Sequence, residues 1–182
     1  TTLITHHLLK SAKINVGVAG NIGASFAQQV AEENFESYVL ELSSFQLDGV
    51  IDFRPHIAII TNITPDHLDR YEYDFNQYVA SKFTITRNQT IHDFLIYDAD
   101  DQTIDNWLKK NQTNAALIPF SIEKELDYGA FLKEDTIIIK LNTEEFSMSI
   151  SNLRLQGKHN VKNTMAGALA SQLLNVGSQS IK

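Results

Sequence analysis

A chain of 182 residues with 43% hydrophobic content can bury one sizeable core, and its length demands no second domain. Its 22 acidic and 15 basic residues leave a net charge of -7, which argues against a general affinity for nucleic acid or an anionic membrane. With no cysteine there is no disulfide, thiolate metal site or thiol nucleophile, and no apolar run approaches the roughly 20 residues that span a bilayer.

The N-terminus lacks the basic, apolar and small-residue order of a signal peptide, so the expectation is a soluble cytoplasmic protein. Leu3, Ile4, His7 and Leu8 fall on one side of a helix expected from Thr1 to about Ala12. Without an initiator Met, the chain reads as a fragment that begins inside that helix. A short strand ending at Ala19 follows. Gly20-Asn21-Ile22-Gly23 then turns tightly into a helix over roughly Ala24 to Glu33, with Phe26, Ala27, Val30 and Ala31 as its apolar stripe.

Ser37 to Leu42 is the next expected strand, and Glu41 stands out in it because a carboxylate in a buried strand is costly unless paired or bound to a cation. Ile57 to Ile60 is a continuous β-branched run that suits a central strand buried on both faces of a parallel sheet. Pro65 stops it, and Thr64, Asp66, His67, Asp69 and Arg70 gather at its carboxyl end, the edge where open α/β sheets bind ligands. Asp74 to about Thr86 reads as a helix in which Tyr78 and Lys82 share a face.

Phe94 to Tyr97 is a further strand, and Asp101 is placed to cap a helix carrying Ile104, Trp107 and Leu108. Ala115 to Phe120 follows as a strand. Thr136 to Leu141 and Glu145 to Ile150 alternate about Asn142-Thr143 as an antiparallel hairpin should. A last helix begins near Lys158 to Asn160, runs through Met165, Leu169 and Leu173, and is expected to stop at Gly177. Alternating strands and helices predict an α/β fold with a doubly wound, mostly parallel sheet and a small antiparallel addition.

Three residues carry the strongest chemical signal. Glu41, His67 and Lys82 each lie at or just past the end of an expected strand, on segments near enough to be neighbours in one sheet. A carboxylate and a neutral imidazole are both competent ligands for a divalent cation. Each also has a plainer reading: an ion pair for Glu41, a turn cap for His67, a solvated helix face for Lys82. Gly20 to Gly23 alone is an ordinary strand-to-helix turn, and Asn160 alone is an N-cap. A serine hydrolase built on Ser43 or Ser44 with His67 lacks the expected Gly-x-Ser-x-Gly elbow.

Taken in order, Gly20-Asn21-Ile22-Gly23, Glu41-Leu42-Ser43-Ser44-Phe45-Gln46-Leu47, Asn62 to Tyr71, Tyr78-Val79-Ala80-Ser81-Lys82 and Gly157 to Asn163 match the order and approximate spacing of motifs in the Mur ligases. The sequence resembles that family from Thr1 to about Gly177, and its Glu41 to Leu47 string is most similar to the branch that adds D-glutamate. The resemblance implies that residues 1–182 are the central, ATP-binding domain, with a P-loop-type fold but without the P-loop itself, which would lie just before Thr1. The N- and C-terminal domains are then missing partners, and the fragment alone should show little ligase activity.

The implied reaction is ATP-dependent joining of D-glutamate to UDP-N-acetylmuramoyl-L-alanine through an acyl phosphate, in peptidoglycan precursor synthesis. The resemblance assigns Thr1, Thr2, Asn160 and Asn163 to the nucleotide and Asn21, Ser43 and Gln46 to the muramoyl-alanine substrate. It places two Mg²⁺ sites, one at Glu41 and one at His67 with Asp66 beside it, and implies a CO2-derived carbamate on Lys82. No nucleic acid or membrane partner is implied. The alternatives are another Mur ligase, a folylpolyglutamate synthase-like ligase, or a nucleotide or UDP-sugar binding module without turnover.

Overall fold

In a computed structural model, residues 1–141, 144–177 and 181 are described. The chain forms two compact units, one of Thr1–Leu42 with Phe120–Lys182 and the other of Ser43–Pro119. Together the elements make an α/β fold in which β1–β2, β3–β4 and β5–β6 pair parallel.

The first unit opens with α1 (Thr2–Ser11), β1 (Val16–Gly20), α2 (Phe26–Glu32) and β2 (Ser37–Glu41). β1 and β2 form a two-stranded sheet of their own, with Gly20 opposite Glu41. Gly20 has φ +104°, and a Cβ there would lie 2.2 Å from the Glu41 carbonyl oxygen, so only glycine permits this approach. Gly23 also has positive φ, as the Gly-x-x-Gly turn requires.

The expected stripe on α2 is not buried. Phe26 is 39% and Val30 56% exposed, because this two-turn helix has only a two-stranded sheet to cover. Phe26 meets the edge of the Tyr38 ring at 5.0 Å, and Gln29 donates to the Val18 carbonyl.

The end of β5 (Ala116–Ser121) enters this unit and pairs with β6 (Gly129–Lys133) through Phe120 and Ser121. β6 is absent from the sequence expectation, since five residues between Tyr128 and Glu134 carry no alternation to announce them. It pairs antiparallel with β7 (Thr136–Leu141), which pairs antiparallel with β8 (Glu144–Ser149). The hairpin strands are as expected, while the Asn142-Thr143 turn lies outside the described residues.

α6 (Lys158–Leu173) buries a continuous run from Thr164 to Ser171. Gly167 lets α1 approach closely, since a Cβ there would meet Thr5 Oγ1 at 3.1 Å. The helix ends before the expected Gly177: Asn175 takes φ +61°, and the Val176 N–H returns to the Ser171 carbonyl. Gly157 at φ +101° is the N-cap, the place expected of Asn160.

The second unit holds α3 (Ser44–Asp48), β3 (Ile57–Ile60), a 3₁₀ turn (Leu68–Tyr71), α4 (Phe75–Phe83), β4 (Phe94–Asp98), α5 (Gln102–Lys110) and the start of β5. β3 pairs with β4, and β5 lies on β4's other side. β3 is not the doubly buried central strand expected: Ala58 and Ile60 are buried, whereas Ile57 and Ile59 are half-buried. A β-branched run alone cannot tell a one-sided strand from a two-sided one.

The core here comprises Ala58, Ile60, Ile63, Tyr78, Val79, Phe83, Leu95 and Ile104, with the Phe83 and Trp107 rings stacked at 3.7 Å. At the opposite end from the β3 carboxyl edge, Arg54 holds the buried Asp93 through two bonds of 2.7 and 3.1 Å.

Candidate functional site

In the first unit the carboxyl ends of β1 and β2 present Asn21 and Glu41 side by side. The Asn21 N–H donates to the Glu41 carbonyl at 2.7 Å, and the Asn21 amide approaches Glu41 Oε1 at 3.5 Å. Thr1, the N-cap of α1, makes no side-chain bond to its own helix; its hydroxyl donates instead to Asn163 Oδ1 on α6. The Glu41 carboxylate lies within electrostatic reach of the Thr1 nitrogen at the start of α1.

Thr1, Asn21, Glu41 and Asn163 therefore gather around the start of α1. Thr2 sits in the first turn of α1. Asn160 is turned away, its amide donating to the Gln156 carbonyl at 2.9 Å.

In the second unit Ser43 and Gln46 form a capping box on α3. The Gln46 N–H donates to Ser43 Oγ at 3.3 Å, and the Ser43 N–H donates to Gln46 Oε1 at 2.9 Å. This bonding holds the first turn of α3 and is a structural role that the sequence reading did not anticipate.

His67 holds the N-cap position of the 3₁₀ turn with φ +49°, left-handed for a non-glycine residue; its side chain makes no capping bond, and its Nε2 lies 3.5 Å from Asp66 Oδ2. Both side chains are more than half exposed, at 59% and 63%. The half-buried Lys82 places Nζ 5.1 Å from the centre of the Tyr78 ring, so the shared helix face expected for this pair is observed.

Aromatic contacts connect these two residues. The His67 ring lies 5.3 Å from Phe45, Phe45 stacks on Tyr71 at 6.4 Å, and Tyr71 meets Tyr78 edge-on at 5.4 Å. Arg70 covers the Phe45 ring at 4.4 Å. Phe45 and Tyr71 lie inside the motif strings, yet nothing in their spacing showed that they connect His67 to Lys82.

Among the described residues, no three His, Asp or Glu side chains converge as a ready-made metal cage. Mg²⁺ is commonly held by one or two carboxylates together with phosphates and water, so the Glu41 carboxylate fits that ion. His67 beside Asp66 offers a nitrogen and an oxygen donor. The Lys82 amine as it stands over Tyr78 is a cation, which a second metal ion would repel.

The sequence profile of the Mur ligase middle domain matches residues 1–171. The chain belongs to the Mur ligase family. Over 181 residues it is 54% identical to the UDP-N-acetylmuramoylalanine–D-glutamate ligase of Christiangramia forsetii, covering all of this chain and 41% of that protein. The Bacteroides fragilis protein of the same name is 45% identical, again over all of this chain and 41% of its own length. This Mur ligase chain thus spans about two fifths of these relatives.

Its fold is shared with solved family structures. The Neisseria meningitides UDP-N-acetylmuramate:L-alanyl-gamma-D-glutamyl-meso-diaminopimelate ligase superposes with TM-score 0.72 at 17% identity, over 99% of this chain and 59% of the other. The Thermotoga maritima MurF ligase, solved with ADP, gives TM-score 0.64 at 16% identity, over 99% of this chain and 45% of the other. No helix among the described residues is long and apolar enough to cross a membrane.

Proposed function

We propose that this chain is the central domain of a cytoplasmic ligase that uses ATP to join D-glutamate to UDP-N-acetylmuramoyl-L-alanine. The observation that carries the reading is the gathering of Thr1, Asn21, Glu41 and Asn163 at the start of α1. The two relatives named for that reaction match the chain along its whole length and support the choice of substrates.

In this reading a carboxylate oxygen of the muramoyl-alanine attacks the γ-phosphorus and ADP leaves. The D-glutamate amine then adds to the acyl carbon, loses a proton, and phosphate departs. The first step brings two anions together, so the site must lower their repulsion and align them. Bound Mg²⁺ supplies that positive charge, with Glu41 holding one ion and His67, with Asp66, the other.

Thr1, Thr2 and Asn163 line the nucleotide side, and Asn160 joins them once its amide leaves the Gln156 carbonyl. Asn21 orients Glu41 and faces the muramoyl-alanine, for which Ser43 and Gln46 offer the capped start of α3. A carbamate on Lys82 replaces its positive charge with a negative one and so gives the second cation a partner. The P-loop and the remaining domains come from the rest of the ligase.

The test is phosphate release by the full-length protein with UDP-N-acetylmuramoyl-L-alanine, offering D-glutamate and other amino acids one at a time. Turnover that requires D-glutamate is expected. Turnover with another acceptor moves the protein to a different family branch, and none with any acceptor favours binding without catalysis. Glu41→Ala and His67→Ala should each abolish turnover, and Lys82→Ala should regain part of it with added short carboxylic acids; normal turnover in the first two would remove their metal roles.

A further inference from the structure

Beneath the aromatic contacts of the second unit lies a polar network that joins three separate segments. Tyr71 and Ser81 are buried, at 7% and 6% exposure, and both reach Asp48 at the end of α3. The Tyr71 hydroxyl donates to Asp48 Oδ2 at 2.9 Å, and the Ser81 hydroxyl donates to Asp48 Oδ1 at 2.6 Å. The two hydroxyl oxygens are 3.1 Å apart, and Ser81 Oγ also lies 3.1 Å from the Ser44 carbonyl.

Each hydroxyl carries one proton, whereas a carboxylate accepts at both oxygens. Asp48 can therefore satisfy both buried hydroxyls at once, although its own residue is exposed. Losing it would leave the Tyr71 proton only Ser81 Oγ and the Ser81 proton only the Ser44 carbonyl, with neither hydroxyl tied to the end of α3.

The three segments are those that carry the candidate site. Asp48 closes the helix begun by Ser43 and Gln46, Tyr71 closes the 3₁₀ turn begun at His67, and Ser81 immediately precedes Lys82. That turn needs holding: His67, Glu72 and Tyr73 are all left-handed at φ +49°, +52° and +59°. Such residues persist where their surroundings over-determine them. A rotation or slip of α4 would carry Lys82 with it, since successive residues are fixed about 100° apart around a helix.

We propose that Asp48 is a positioning residue that, through Ser81 and Tyr71, fixes α4 and the His67 turn so that the Lys82 amine is held where it takes up CO2. This rests on the carbamate reading of Lys82 given above. In the step itself the neutral amine bonds to the carbon of CO2, one C=O π pair moves onto oxygen, and one proton passes from nitrogen to water.

The experiment uses the full-length ligase equilibrated with ¹³C-bicarbonate, with the carbamate resonance followed by NMR and assigned by its loss in Lys82→Ala. Asp48→Ala should need at least about tenfold more bicarbonate to reach half of the signal, since it removes two bonds to a charged acceptor. Asp48→Asn, which keeps one acceptor oxygen, should fall between it and the parent.

Ser81→Ala and Tyr71→Phe each delete one of the two bonds to Asp48, should move the half-point in the same direction, and carry the measurement if Asp48→Ala does not fold. The KM for ATP should stay within about twofold of the parent, because the nucleotide side chains belong to the other unit. A parent signal whose bicarbonate dependence is unmoved in the folded variants overturns the positioning role and leaves the carbamate standing. No Lys82-dependent signal in the parent overturns both.

Discussion

Asp101 fastens the loop that carries His67, and its removal has a calculable effect. Oδ1 accepts from the N–H groups of Thr103 at 2.8 Å and Ile104 at 3.0 Å, capping α5, while Oδ2 accepts from the Ile63 N–H at 3.0 Å. Ile63 and Ile104 are 3% and 0% exposed, so water replaces these bonds poorly. Losing the cap costs about 1 kcal/mol. Stranding the buried Ile63 donor adds roughly 1–3 kcal/mol.

The sum of about 2–4 kcal/mol corresponds to roughly 30- to 1,000-fold faster local opening at about 1.4 kcal/mol per decade. Amide hydrogen exchange of Asp101→Ala in the full-length protein should show that acceleration at Ile63, Thr103 and Ile104. Asp101→Ser should restore protection at Thr103 and Ile104 but not at Ile63, since a hydroxyl can cap the helix and cannot span to the loop. Exchange at Ile63 within about threefold of the parent in Asp101→Ala would refute the assigned tie.

Gly20→Ala should destabilise the first unit by at least about 2 kcal/mol, because it combines positive φ with a Cβ only 2.2 Å from the Glu41 carbonyl oxygen. A denaturant midpoint unchanged from the parent would contradict this. Arg54, hydrogen-bonded to Asp93, holds that carboxyl well below the ordinary carboxylate range, with smaller help from Thr90 and His56. Its folded value is depressed, so the associated stability is fully present above the unfolded value near 3.8 and is lost as pH falls from there through the folded value. Asp93→Asn should be less stable at neutral pH and show a shallower acid arm below pH about 4, measured by thermal melting against pH.

Much of the local structure was legible because it is governed by neighbours in sequence. The glycine turn after β1, the Asp101 cap, the Tyr78–Lys82 face and the β7–β8 strands all follow from spacing and residue type. Among the residues singled out for a site, Asn21 lies beside Glu41 and Thr1 donates to Asn163. β6 escaped notice because five residues without alternation carry no period. The exposed α2 stripe shows the opposite failure, a correct period without enough surface to bury it.

The sequence by itself determined the family, the α/β alternation and the chemical types gathered at the strand ends, because backbone conformation and motif spacing are set over a few residues. Only the tertiary structure decided that Asn160 turns to Gln156, that Ser43 and Gln46 cap their own helix, and that Asp48 accepts from both Tyr71 and Ser81. Hydrogen bonds and ring contacts depend on distances of a few ångströms between residues tens of positions apart. Packing sets those distances, and no periodicity in the chain encodes them.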